Sequence, residues 1–158
     1  MPKARQGAVK IIPPSPEIAK VQGEYLHELR VLLPDATVEL IGGMSVPMAG
    51  REEVDIMVVT DDQAKAVEVM LLNGYPGGVE EKGVYYLTDF KKEVECGIQI
   101  LSPDHPQVET NRRIRSRLQE DASLRQRLER FKKSIEKLTQ AQYKEQKSVW
   151  IRDNILNL

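Results

Sequence analysis

The spacing of hydrophobic positions predicts alternating strands and helices in the first two thirds of the chain. Residues 8–12 form a short apolar run before two prolines, which predicts a first strand. Ser15 and Pro16 are typical of a helix start, and the apolar positions after them recur every three or four residues, as on one buried helix face. Residues 37–41 and 54–59 predict two more strands, and the second is too uniformly apolar to have one face in water.

The pattern continues through a second helix and a strand pair to a helical end. Asp61 or Asp62 is expected to cap the second helix. Residues 84–87 and 94–101 flank a polar loop and predict a hairpin, and residues 106–158 have helical spacing, with a capping box formed by Thr139 and Gln142. The inward positions predicted for the second helix are Val67, Met70 and Leu71.

Together these elements predict one α/β (α+β) domain over residues 1–158. Its sheet-containing part is residues 1–105, and residues 106–158 form C-terminal helices. A chain of 158 residues is long enough for one hydrophobic core but too short for two independent ones. The composition is 41% hydrophobic and 30% charged, and no apolar run approaches the roughly 20 residues that span a bilayer. We therefore expect a protein that does not enter the membrane.

The start of the chain and its cysteine content bear on location and on metal chemistry. The first residues have no apolar segment like that of a secretory signal, so we expect a cytoplasmic location. Cys96 is the single cysteine, which excludes an internal disulfide and a cysteine-based zinc site.

Charge is divided unevenly along the chain. Residues 1–105 have a balance of −7, and residues 106–158 have a balance of +6. The basic helical part can bind nucleic acid or nucleotide phosphates, or it can lie against the acidic part of the same molecule, and the second alternative is favoured. Nucleic-acid binding is the weaker hypothesis because only 5% of residues are aromatic and the basic residues alternate with acidic ones.

The strongest chemical signal is a glycine pair followed by a carboxylate on the next strand. Gly42 and Gly43 let the backbone approach a phosphate closely, and Asp55 lies in the middle of the next apolar strand, where it can hold Mg²⁺. Nucleotide-transferring sites usually have a second acid two residues later, but that position is Met57. By strand alternation, Glu95 can point toward the face of Asp55 and supply a second carboxylate.

Each of these residues also has a structural explanation. Asp55 can be a buried acid held by backbone N–H groups of the glycine turn, which would stabilise the fold. Gly42 and Gly43 can simply form a tight turn that requires positive φ. Ser45 can cap a short helix or contact a phosphate. The residues alone leave these alternatives open.

Several segments in the same order resemble one known family. Residues 41–47 (Ile-Gly-Gly-Met-Ser-Val-Pro) are similar to its signature Ile-Gly-Ser-Thr-Ser/Ala-Val-Pro, and residues 54–56 are similar to its Ile-Asp-Ile. On these residues the chain resembles the GrpB-like family of the minimal nucleotidyltransferase superfamily. The chain departs from the family at Leu40, Gly97 and Gln99, where the family commonly has histidines. The other matching segments are 9–13, 114–116, 131–133 and 143–151.

The resemblance implies a nucleotidyltransferase-like fold: a small mixed sheet packed by helices, with a helical C-terminal part. If the protein is an enzyme, Asp55 and Glu95 are the expected catalytic residues and the ligands of Mg²⁺. The alternative is a degenerate binding or interaction module that keeps the cleft without turnover. Lys132 also falls on a position that the resemblance marks. The residues expected to bind the nucleotide and its phosphates are Gly42, Gly43, Ser45, Arg51, Arg115 and Lys147.

Overall fold

A computed structural model describes residues 7–157 of the chain. Five strands form one sheet, and five α-helices pack around it. A 3₁₀ turn over Gly43–Ser45 follows the first strand, and a π-helical turn over Arg152–Leu156 extends the last helix. The strands are β1 (Thr37–Leu40), β2 (Glu53–Val59), β3 (Val79–Glu81), β4 (Val84–Asp89) and β5 (Glu95–Leu101). The helices are α1 (Pro16–Leu32), α2 (Gln63–Leu72), α3 (Pro106–Glu120), α4 (Ala122–Ser134) and α5 (Gln140–Ile151).

The sheet is mixed, with strand order β1-β2-β5-β4-β3. β2 pairs with β1 antiparallel and with β5 parallel, so the apolar strand predicted at 54–59 is internal to the sheet. The register places Glu53 opposite Glu95 and Asp55 opposite Gly97. β4 pairs antiparallel with β5, as the hairpin prediction requires. The mixed α+β fold expected from the sequence is confirmed.

The two faces of the sheet differ in chemistry. One face is covered by α1 and α2, and its core contains Ile56 and Ile98 of the sheet with Tyr25 of α1 and Met70 of α2. On the other face Val108 of α3 packs over the apolar ends of β2 and β5. The centre of that second face has carboxylate and amide side chains, because β2 and β5 alternate apolar and polar residues there. The candidate site lies on this second face.

Local sequence signals for the helices are confirmed. The side chain of Ser15 accepts a hydrogen bond from Ile18 N at the start of α1. Asp62 is the cap of α2, and Thr139 forms the predicted capping box of α5 with Gln142. Capping depends on residues at most three positions apart, so the sequence alone is sufficient to predict it.

Three details differ from the sequence prediction. Residues 8–12 form no strand, because Ala8 bridges to Thr139 while Ile12 bridges to Gly50, and these are two separate partners. Leu71 is not inward: it is 49% exposed, and Ala66 lies on the buried face of α2 instead. β3 was not predicted, since it has three residues and all of them are exposed.

Basic helices lie against the acidic sheet-containing part. Arg112 of α3 donates two hydrogen bonds to Glu39 of β1, and Lys147 of α5 lies 3.9 Å from Glu53 of β2. These contacts agree with the internal matching of charge favoured above. None of the helices within the described part of the chain has the length and apolar character needed to cross a membrane.

Candidate functional site

The Asp55 carboxylate lies in a gap between two glycines. A Cβ atom on Gly42 would be 3.1 Å from Asp55 Oδ2, and one on Gly97 would be 3.0 Å from Oδ1. Gly42 has φ 77° and ψ −175°, a backbone conformation almost restricted to glycine. Glycine at both positions therefore makes the space in which this carboxylate sits.

The Asp55 carboxylate has no hydrogen-bond or ion-pair partner among residues 7–157, and its side chain is only partly buried. The glycine turn thus does not hold it through backbone N–H groups, as the structural alternative would require. Burial raises the pKa of Asp55 to about 7, and the nearby charge of Glu53 acts in the same direction. Asp55 consequently exchanges a proton near neutral pH, a property that is frequent at functional sites.

The other two carboxylates of this face are bound to an arginine. Arg51 is 3% exposed. Its Nη2 donates to Glu53 and lies 3.4 Å from Glu95 Oε2, while its Nη1 donates to Gln140 Oε1 at 2.7 Å. Burial opposes ionisation of Glu53, but the charges of Lys147 and Arg51 hold its pKa below the usual range. Arg51, predicted as a phosphate ligand, is therefore engaged by carboxylates in this structure.

Lys132 is a second buried cation, next to the glycine turn. It is 1% exposed, and its Nζ donates to Ala49 O at 3.0 Å. A Cβ atom on Gly43 would be only 2.6 Å from that Nζ, so the absence of a side chain at Gly43 leaves room for the amine. Burial, together with the nearby charge of Lys147, lowers the pKa of Lys132 to about 7.

The family resemblance marks Lys132, but Lys132 was not among the residues expected to bind the nucleotide. A second sequence signal is the buried stripe of α4, where Leu124, Leu128 and Lys132 follow each other in steps of four. A lysine at an apolar position of such a stripe is rarely buried without a partner or a role.

The remaining predicted phosphate ligands differ in their contacts. Ser45 donates its hydroxyl to Gly42 O at 2.6 Å and so closes the turn. Lys147 is 19% exposed and faces Glu53. Arg115 has a buried Nε without a hydrogen-bond partner, and its guanidinium makes no ion pair with any residue that the structure describes. Arg115 is on α3, which packs against the glycine turn.

Met57, at the position of the expected second acid, and Gln99, at the position of a family histidine, both contact α3. Met57 is fully buried, and Asn111 Nδ2 of α3 lies 3.4 Å from its sulfur. Gln99 accepts hydrogen bonds from Asn111 at 3.1 Å and from Gln107 at 2.8 Å. These amides attach α3 to the sheet. This network could not be predicted from the sequence, because its donors are on α3 and its acceptors are on β2 and β5.

The oxygen donors of this site determine whether it can hold magnesium ions. Two-metal transfer requires carboxylates that hold ions about 4 Å apart. Among residues 7–157, no group of three or more His, Cys, Asp or Glu side chains is placed to hold a metal ion. Glu53 and Glu95 are paired with Arg51, which leaves Asp55 as the one carboxylate of the three without an ion-pair partner in the described part of the chain. This donor set does not fit two magnesium ions.

An open cleft of about 680 Å³ continues from these charges along the same face of the sheet. Its lining includes Arg51 and Glu95, the aromatic side chains of Tyr86 and Phe90, and Lys144 of α5. This volume is within the roughly 300–1,000 Å³ of ordinary small-molecule sites.

The mixed sheet, the glycine turn after β1 and the carboxylate on β2 define a protein with a nucleotidyltransferase-like fold. More specifically, the chain belongs to the GrpB family, whose description is "GrpB protein" and whose profile matches residues 8–156. It is similar to the crystal structure of conserved protein GrpB from Enterococcus faecalis, with 21% identity and a TM-score of 0.69 over 79% of this chain and 81% of that one.

Longer transferases share the same fold. A cytoplasmic RNA terminal U-transferase is 19% identical with a TM-score of 0.56, over 74% of this chain and 39% of that one. Cid1 in complex with the UTP analog UMPNPP is 18% identical with a TM-score of 0.54, over 74% of this chain and 38% of that one. At these identities the likeness shows the fold alone. A comparison with curated proteins gave no match.

Proposed function

We propose that the protein is a nucleotide-binding module, using the cleft lined by Arg51 and Glu95 and the neighbouring glycine turn, and that it does not catalyse nucleotidyl transfer. The observation that carries this proposal is the pairing of Glu53 and Glu95 with Arg51. It leaves one carboxylate where two-metal transfer needs several. Arg115 is a cation of this region that has no ion pair among the described residues, which favours an anionic ligand.

The phosphates are proposed to lie over the glycine turn. Arg115 has no anionic partner among residues 7–157, and a guanidinium can bind a phosphate through two hydrogen bonds. Lys147 is a second, partly exposed cation of this region. Lys132 is a third, and it lies behind Gly43. The cleft between Tyr86 and Lys144 is proposed to receive the rest of the ligand. A structural neighbour, Cid1, has been solved with a UTP analog, which supports a nucleotide as the ligand.

Calorimetric titration of ATP, GTP, CTP and UTP, each with Mg²⁺ and with EDTA, tests this proposal. We expect at least one nucleotide to bind with similar affinity under both conditions and to be recovered unchanged. Arg115→Ala is expected to weaken binding by a factor of about 10 to 100, because a charged hydrogen bond contributes about 1.5–3 kcal/mol. Arg113→Ala, an exposed arginine on the same helix, is the matched control.

The absence of binding for all four nucleotides under both conditions would contradict the proposal. Release of pyrophosphate that depends on Mg²⁺ and on Asp55 would replace it with the enzyme hypothesis.

Nucleotide affinity is expected to increase as the pH falls from 8 to 6. Over this range Asp55 loses its negative charge and Lys132 gains a positive one, because both pKa values are about 7. Both changes favour an anion, and together they are expected to strengthen binding roughly tenfold. The measurement is calorimetry at three pH values.

The double variant Asp55→Asn/Lys132→Met is the control for this pH dependence, since its two site residues no longer titrate. Any pH dependence that remains in it comes from the phosphates of the ligand. Equal pH dependence in the double variant and the natural protein would contradict the assignment.

Mg²⁺-dependent nucleotidyl transfer is the second candidate function, and one observation favours it. Glu53, Asp55 and Glu95 are on neighbouring strands and share one face of the sheet. A movement of Arg51 away from the two glutamates would make the three carboxylates available to metal ions, as the reaction needs. The pyrophosphate measurement above distinguishes the two candidates.

A further inference from the structure

Three side-chain oxygens from three different elements converge on the Arg51 guanidinium. Glu53 Oε2 comes from β2, Glu95 Oε2 comes from β5 at 3.4 Å, and Gln140 Oε1 comes from α5 at 2.7 Å. Two carboxylates and an amide carbonyl are the oxygen types that bind divalent cations such as Mg²⁺, Mn²⁺ and Ca²⁺. The convergence is thus typical of a hard-cation site, and the cation in it is an arginine side chain.

We propose that the Arg51 guanidinium occupies a divalent-cation site. This site binds a metal ion once the guanidinium is removed. The elements around the guanidinium keep it in place. Arg51 is almost fully buried, and its guanidinium carbon lies 5.7 Å from the centre of the Tyr143 ring. Its Nε is buried without a hydrogen-bond partner among residues 7–157. The two terminal nitrogens of Arg51 thus contact the surrounding oxygens, while its Nε makes no hydrogen bond in the described part of the chain.

An ion can reach this position from solvent. Arg51, Glu95 and Gln140 all line the cleft of about 680 Å³, and the cleft is open on its outer side. The proposal concerns the same cleft as the proposed function, but it does not require that a nucleotide binds there.

The test is titration of Mn²⁺ alone into Arg51→Ala and into the natural protein, by calorimetry and by thermal unfolding. We expect Arg51→Ala to bind Mn²⁺ at least tenfold more tightly than the natural protein, and Mn²⁺ to raise its unfolding temperature. Arg51→Lys, which retains the positive charge, should show no such gain. The double variant Arg51→Ala/Glu53→Gln should lose it, since one of the two carboxylates is gone.

Equal Mn²⁺ affinity in Arg51→Ala and in the natural protein would overturn the proposal. A gain in affinity that persists in Arg51→Ala/Glu53→Gln would overturn it as well, because the ion would then be bound elsewhere. If Arg51→Ala does not fold in EDTA, recovery of the folded state on addition of Mn²⁺ is the expected result, and Arg51→Gln repeats the measurement. Failure of both variants to fold with Mn²⁺ counts against the proposal. None of these measurements includes a nucleotide, so their outcome is separate from that of the proposed function.

Discussion

Lys132→Met is expected to raise the free energy of unfolding by roughly 2–4 kcal/mol at pH 6. The amine of Lys132 is almost fully buried and has one hydrogen bond, to Ala49 O. Its pKa is lowered from 10.5 to about 7, so folding at pH 6 forces a charged amine into the protein interior. Methionine has a similar length and no charge, and it removes this cost.

The pH dependence of this gain has a definite sign. Between pH 7 and 10.5 the unfolded chain binds a proton at Lys132 that the folded protein does not, so the stability of the natural protein increases with pH in this window. The loss in free energy of unfolding that buried Lys132 causes is therefore greatest below pH 7, and it disappears as the pH approaches 10.5. Urea unfolding at pH 6 and at pH 10 should show a large gain for Lys132→Met at pH 6 and a small one at pH 10.

Lys133→Met is the matched control, because Lys133 is the next residue and is exposed. It should change stability by less than about 0.5 kcal/mol at either pH. A similar gain in both variants would mean that net charge, and not burial of Lys132, is responsible. The expected cost of the stabilisation is weaker nucleotide binding, as is common when a strained site residue is replaced.

Arg51→Ala is expected to lower the free energy of unfolding by about 3–5 kcal/mol when measured in EDTA. The reason is that the substitution removes the cation shared by Glu53 and Glu95, both largely buried, and leaves Lys147, 3.9 Å from Glu53, as the nearby cation. Most of the loss comes from this weaker compensation of buried charge, and only a smaller part from the lost contacts of Arg51 itself.

Arg112→Ala is a control for the Arg51 measurement in the same protein. Arg112 also binds a glutamate through two nitrogens, but its side chain is 49% exposed. A surface ion pair of this kind contributes about 0–1 kcal/mol. Comparable losses for Arg51→Ala and Arg112→Ala would show that the buried pairing does not contribute as expected.

The family assignment and the centre of the site follow from contiguous stretches of sequence. The glycine turn and Asp55 are separated by a short loop between two strands that pair with each other, so they meet wherever this local unit folds. The face of Glu95 was also predictable, because side chains alternate along a strand and β5 is regular. Its pairing with Arg51 was not predictable, since that contact depends on the register between β2 and β5 and on the position of α5.

The environment of Lys132 could not be predicted from the sequence either. Its place on the buried stripe of α4 is visible in the sequence, yet the sequence does not say what the amine meets. In the fold it meets Gly43 and Ala49, more than eighty residues away along the chain. A lowered pKa arises from that environment and so could not be predicted from helical spacing.

By itself, the sequence determined the helix caps, the apolar internal strand, the glycine turn and the alternation that puts carboxylates on one face of the sheet. These features depend on residues close together in the chain, where backbone geometry and side-chain spacing suffice. Three features appear only in the folded chain: Arg51 neutralises Glu53 and Glu95, Asp55 has no such partner among residues 7–157, and Lys132 lies buried behind the glycine turn. Ion pairing and desolvation depend on which distant elements meet in space, and their energies change with burial.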